Sequence, residues 1–159
     1  MLTSLSATTR TVDDLRAVSS PYRQQPRIFD RIGRMMEQDL VADILQLVVG
    51  LGLLNVWVVR SRSATAYRGG DATTLRGEFA AYGLPGAAFL VVGGLKIGSA
   101  LVLIAGVWFA LPVAVAAGIV AVLMAGAIAM HVKVRDPAMK ALPASLMLVM
   151  SAAIALLTA

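Results

Sequence analysis

The sequence predicts an all-α integral membrane protein, a four-helix antiparallel bundle with a polar N-terminal tail. Three observations carry this. From Leu84 to Met130 the only charged side chain is Lys96; as one helix that run would extend about 70 Å, more than twice the hydrocarbon thickness of a bilayer, so it must double back. Hydrophobic residues make up 58% of the 159-residue chain and charged residues only 14%, a balance typical of membrane proteins rather than soluble domains. The apolar runs also lack the alternation of a barrel strand, which leaves helices to satisfy the backbone amides in lipid.

The elements follow in order. Residues 1–39 form a polar tail with both signs of charge. It lacks the basic start and apolar core of a secretory signal and reads as retained. Ser19, Ser20, Pro21 and Pro26 mark its first 26 residues as flexible. Over residues 27–39, Ile28, Ile32, Met35 and Met36 recur at helical spacing, which suggests a short helix on the membrane surface. The transmembrane domain is residues 40–159. Its first crossing is 40–59, with Trp57 and Arg60 as interface anchors. A polar connection follows, loose around Gly69, Gly70 and Asp71 and helical from Thr74 to Tyr82. The second crossing is 84–106, where Pro85 sits in the first turn and its missing amide hydrogen costs little. Trp108, Phe109 and Pro112 make a hairpin tip, 113–130 is the third crossing, 131–140 a polar connection, and 141–158 the fourth crossing. Both termini then lie on one side and both polar connections on the other. Six arginines precede Leu40 and seven lysines and arginines stand in the two connections, so the charge bias leaves the orientation open.

Composition narrows the chemistry. With no cysteine, disulfides, thiol redox catalysis and thiolate metal sites are excluded. One histidine and scattered carboxylates make no metal-ligand spacing. No phosphate-binding or dinucleotide fingerprint is present, since Gly93 and Gly94 lie within a hydrophobic helix. The net charge of +5 resides in membrane-flanking segments that attract anionic lipid headgroups, and no fold motif supports nucleic-acid binding. No complete catalytic constellation is present, which favours a protein without catalytic activity of its own.

Two polar clusters stand out. A charge near mid-membrane is costly and faces a partner or a wet cavity. Antiparallel counting puts Lys96 level with Gln46 and Leu47, with Asp43 one turn deeper, so an ion pair of Lys96 with Asp43 assisted by Gln46 is expected. It serves either as a buried strut or as a proton-relay or ligand site. Counting also brings His131 to the same end of the bundle as Asn55, Arg60, Glu78, Tyr82 and Asp136. These could form one polar mouth that hydrogen-bonds a quinone carbonyl or a lipid; the plainer alternative is a histidine capping a helix end. For helix packing, Gly94 and Gly98 make a GxxxG pair and Ala117, Ala121, Ala125 and Ala129 recur every four residues, a seam within the bundle or between copies in a homo-oligomer.

The stretch Glu78-Phe79-Ala80-Ala81-Tyr82-Gly83-Leu84-Pro85, then Val92-Gly93-Gly94-Leu95-Lys96-Ile97, and later Gly126-Ala127-Ile128-Ala129-Met130-His131 with Asp136, resembles the DoxX-like membrane family. The resemblance covers roughly residues 39–157. It implies a four-helix membrane bundle and, for function, an accessory subunit or partner of quinone-linked oxidoreductases, with quinone or lipid as the ligand. Remote relatives imply an assembly factor or chaperone that binds partner helices. The family commonly carries a glutamate where Lys96 stands, and this tail is longer than the family's. A small transporter driven by Lys96 and Asp43 is a third reading, weakened because the four helices show no inverted repeat.

Overall fold

The computed structural model describes residues 25–159 of the chain, and the expectations for residues 1–24 lie outside them. Among the described residues all regular structure is helical: α1 (Gln25–Leu54), α2 (Leu75–Ala81), α3 (Gly86–Ala105), α4 (Val113–Lys133) and α5 (Ala138–Leu157), with a π-helical turn over Asn55–Val59 at the end of α1. Four segments are long and apolar enough to cross a membrane: Met35–Val59, Gly86–Ala105, Val113–Lys133 and Ala138–Leu157. The predicted four-helix membrane bundle is thus the observed one. The short helix expected over 27–39 falls within the residues of α1. Gln38–Ala159 form the bundle as one compact unit.

Within the bundle the interior is small. Val49 and Leu53 of α1, Ala100 and Leu103 of α3, Ala116, Ala117 and Val120 of α4, and Ile154 of α5 meet in one cluster. Outside it, Leu90, Val122, Val149 and Leu156 are each more than two-thirds exposed. That exposure would be ruinous in water and is ordinary in lipid, where helices associate by close backbone approach and van der Waals fit. Glycine supplies the approach between α1 and α3: a Cβ on Gly50 would lie 2.6 Å from Ile104 and 3.0 Å from the Ala100 carbonyl.

Within the single bundle the glycines expected to pack meet no neighbour. Around Gly94 and Gly98 nothing lies within 4 Å of where a Cβ would stand; the neighbouring Gly93 faces inward instead, against the Trp57 ring. The alanine stripe turns out of the core as well. Ala117 is buried and Ala121 half-buried, but Ala125 and Ala129 are exposed. Four residues advance a helix by more than one 3.6-residue turn, so a strict four-residue repeat winds around α4 by about 40° per step. The residues that stay inside, Ala117, Val120 and Met124, alternate three- and four-residue steps.

The helix ends explain how the connections sit. Trp108 and Phe109 at the α3–α4 tip are 67% and 66% exposed, as aromatic residues at the lipid–water boundary are. Pro85, Pro112 and Pro137 each stand as the residue before a helix starts, at α3, α4 and α5. Both α2 and α4 end in a Schellman turn. After α2, Gly83 takes φ +74°, the Gly83 amide donates to the Ala80 carbonyl, and the Leu84 amide donates to the Phe79 carbonyl. After α4 the same pair of bonds runs from Arg135 to Val132 and from Asp136 to His131, with Arg135 in the left-handed region at φ 58°. These two turns place Tyr82 and His131 at facing helix ends.

Candidate functional site

A chain of charged and polar side chains crosses the end of the bundle that carries the two polar connections. Glu78 lies on α2, whose start is set by Thr74: its hydroxyl accepts the Gly77 amide, the usual cap for a helix beginning at Leu75. One Glu78 oxygen accepts from the Arg68 guanidinium at 3.2 Å. The other accepts from the Tyr82 hydroxyl at 2.9 Å and from the Gly69 amide at 3.0 Å. Tyr82 stands edge-on to the His131 ring with centroids 5.7 Å apart. His131 Nδ1 is 2.9 Å from an Asp136 oxygen, and with Asp136 ionised this nitrogen carries the proton it donates. Asp136 also accepts from the Gly70 amide at 3.1 Å and from Lys140 at 3.3 Å. Lys140 donates to the Gly70 carbonyl at 2.6 Å, and Lys133 to the Tyr82 carbonyl at 3.0 Å.

Two consecutive amides, Gly69 and Gly70, thus hold two carboxylates from different parts of the chain. Both positions favour glycine. Gly70 has φ +56°, and a Cβ on Gly69 would run into the Tyr82 hydroxyl. Burial makes the network matter: Arg68, Glu78 and His131 are 5%, 9% and 5% exposed. The buried Arg68–Glu78 pair is tolerated because each partners the other and makes further hydrogen bonds. Burial and the adjacent Glu78 push the Tyr82 phenol well above its ordinary range, so it stays a neutral donor. Burial would raise the Asp136 carboxyl, but its bonds from His131, Gly70 and Lys140 outweigh that and hold it below the usual carboxylate range.

Of the residues expected in the polar mouth, the structure brings His131, Glu78, Tyr82 and Asp136 together. Asn55 and Arg60 line the neighbouring cavity. Arg60 enters the network by its backbone carbonyl, which accepts from Arg68 at 2.7 Å; its side chain is exposed. The sequence places Arg68 and Lys140 among membrane-flanking charges and Gly69–Gly70 in a loose connection. Their one sequence signal is a Gly-Gly pair directly after an arginine, a nest of donors if an anion lies near.

The expected Lys96–Asp43 ion pair is not formed. Asp43 instead lies 3.4 Å from the amide nitrogen of Gln46 on the same helix, and the Gln46 oxygen is buried without a partner, near Gly106. Lys96 sits with its ammonium 5.4 Å over the Trp57 ring. The direction of the side chain accounts for the difference. On a helix it leans toward the N-terminus, which for α3 is the loop end, so a long lysine reaches away from Asp43. Trp57 was expected as an interface anchor; the π-turn, in which the Arg60 amide reaches the Asn55 carbonyl at 2.8 Å, brings it inward. There it stacks on Phe89 at 5.3 Å and meets Phe79 edge-on at 6.0 Å.

Beside the network opens a cavity of about 490 Å³, with Lys96, Glu78 and His131 on its wall and Leu53, Met124 and Met147 as apolar lining. A second of about 360 Å³ shares Trp57, Glu78 and Lys96 with the first. Both fall in the size range of small-molecule sites.

A buried polar plug closing one end of a four-helix bundle, beneath apolar crossings, defines a multi-pass membrane protein. The chain belongs to the DoxX-like family, whose model matches residues 52–154, more than half of its length. No curated protein and no solved structure gives a match.

Proposed function

We propose that this protein is an accessory membrane subunit, without catalysis of its own, in a quinone-linked redox assembly, and that the cavity beside His131 receives a quinone or lipid. One observation carries this reading: a largely apolar cavity of about 490 Å³ abuts a hydrogen-bonded chain of charged and polar groups. A rigid polar wall against an apolar chamber suits an amphipathic ligand. Every titratable member of the chain is tied to another, which supports a fixed recognition surface rather than a proton-transferring one. Family membership supports the redox setting. Native mass spectrometry of the gently solubilised protein tests it: the expected result is co-purifying oxidoreductase subunits and retained quinone or lipid. The chain recovered alone and empty would overturn it.

A second reading, an assembly factor that receives a partner's transmembrane helix, has one observation in its favour. Gly94 and Gly98 present an open, side-chain-free strip on α3, the surface a close-packed helix needs. Under it Gly94→Leu abolishes partner capture and His131→Ala does not; the reverse pattern returns the argument to the cavity.

A further inference from the structure

Lys96 is the group in the bundle that the network does not use. It is 9% exposed, lies in the middle third of α3, and among the described residues makes no ion pair or hydrogen bond, only its contact with the Trp57 ring. The other cations on the cavity wall are accounted for: Arg68 is held by Glu78 and Lys140 by Asp136, while Arg60 is exposed. A cation–π contact offsets only part of the cost of holding an ammonium away from water. The remaining charge faces the chamber, since Lys96 lines both cavities. His131, by contrast, already gives Nδ1 to Asp136, and the Tyr82 oxygen, whose proton goes to Glu78, stands 3.4 Å from Nε2, so a ligand meets at most one partly screened ring nitrogen there.

We propose that the cavity binds a singly charged amphiphile, a carboxylate on one apolar chain, with the Lys96 ammonium and not His131 as the anchor. This rests on the proposed function only in taking the cavity as the ligand chamber. One buried cation lacking an ion pair calls for one negative charge, and the apolar lining by Leu53, Met124 and Met147 calls for a hydrocarbon body. The indole of Trp57 beside the ammonium reports on the site directly.

The test uses full-length protein in a non-ionic detergent, with Trp108→Phe so that Trp57 is the remaining tryptophan. Quenching of Trp57 is followed with a terminally brominated undecanoate, its methyl ester, and a short-chain quinone as competitor. The expected result is saturable quenching by the acid, displaced by unlabelled decanoate. Lys96→Met, which introduces no polar group into lipid, weakens it at least about tenfold, and Lys96→Arg retains it. Equal affinity of acid and ester, or an unchanged midpoint in Lys96→Met, overturns the inference. Quinone binding that survives Lys96→Met, without acid binding, overturns it while sparing the redox reading. Absence of any saturable quenching overturns it together with the ligand chamber.

Discussion

At the scale of single residues, the polar network is ordered by pairing, and its weak points are the groups with most partners. Glu78 accepts from Arg68, Gly69 and Tyr82 together. Glu78→Ala strands a buried guanidinium, and thermal unfolding in detergent is expected to show a loss of about 3–5 kcal/mol. Gly69→Ala, chemically mild, forces the Tyr82 hydroxyl away from Glu78 and costs about 1–3 kcal/mol by the same measurement. Asp136 supplies a pH signature. Its folded-state pKa lies below the ordinary 3.8, so the ionised group stabilises the fold above that value, and the contribution disappears as pH falls through the folded-state pKa. Asp136→Asn therefore flattens the acid limb of the stability profile below about pH 4. The meeting of His131, Glu78, Tyr82 and Asp136 was readable from antiparallel counting because helix ends are depth markers. Arg68 was not, because a loop arginine's direction follows from the turn that carries it.

At the scale of elements, the ends of α2 and α4 use one turn with two different residues. Gly83 meets the left-handed conformation without strain, whereas Arg135 carries a side chain there at a cost of about 1–2 kcal/mol. Arg135→Gly is expected to raise stability by up to about 1 kcal/mol, and Arg135→Val to lower it, as measured by the melting temperature in detergent. A stabilised Arg135→Val would remove the strain argument. The lengths of the crossings were legible in the hydropathy because length and apolar content are local sums. Their rotations were less so. The π-turn after α1 has no sequence signature, yet it turns Trp57 from the anticipated boundary into a three-ring aromatic cluster. The four-residue repeat of alanines on α4 likewise drifts off the face it was expected to mark.

At the scale of the whole molecule, the hydrogen bond between the Gly70 amide and Asp136 ties the first polar connection to the second, so both belong to one membrane side. The chain has no cysteine, which makes single-cysteine labelling clean. Residues introduced at Arg62 and Arg135 are expected to react from the same side of sealed vesicles, and one at Phe109 from the opposite side; labelling of Arg62 and Arg135 from different sides would dismantle the bundle. By itself the sequence determined that lipid is the solvent and that the chain crosses four times, and it counted His131, Glu78 and Tyr82 to one end of the bundle, since each follows from run lengths and from antiparallel helices. Only the tertiary structure decided that Lys96 lies on Trp57 rather than Asp43, that Gly50 and Gly93 rather than Gly94 and Gly98 make the close contacts, and that Gly69 and Gly70 clasp two carboxylates. Those pairings turn on helix rotation and on a few ångströms of side-chain reach, quantities set by neighbours distant in sequence and carried by no local pattern.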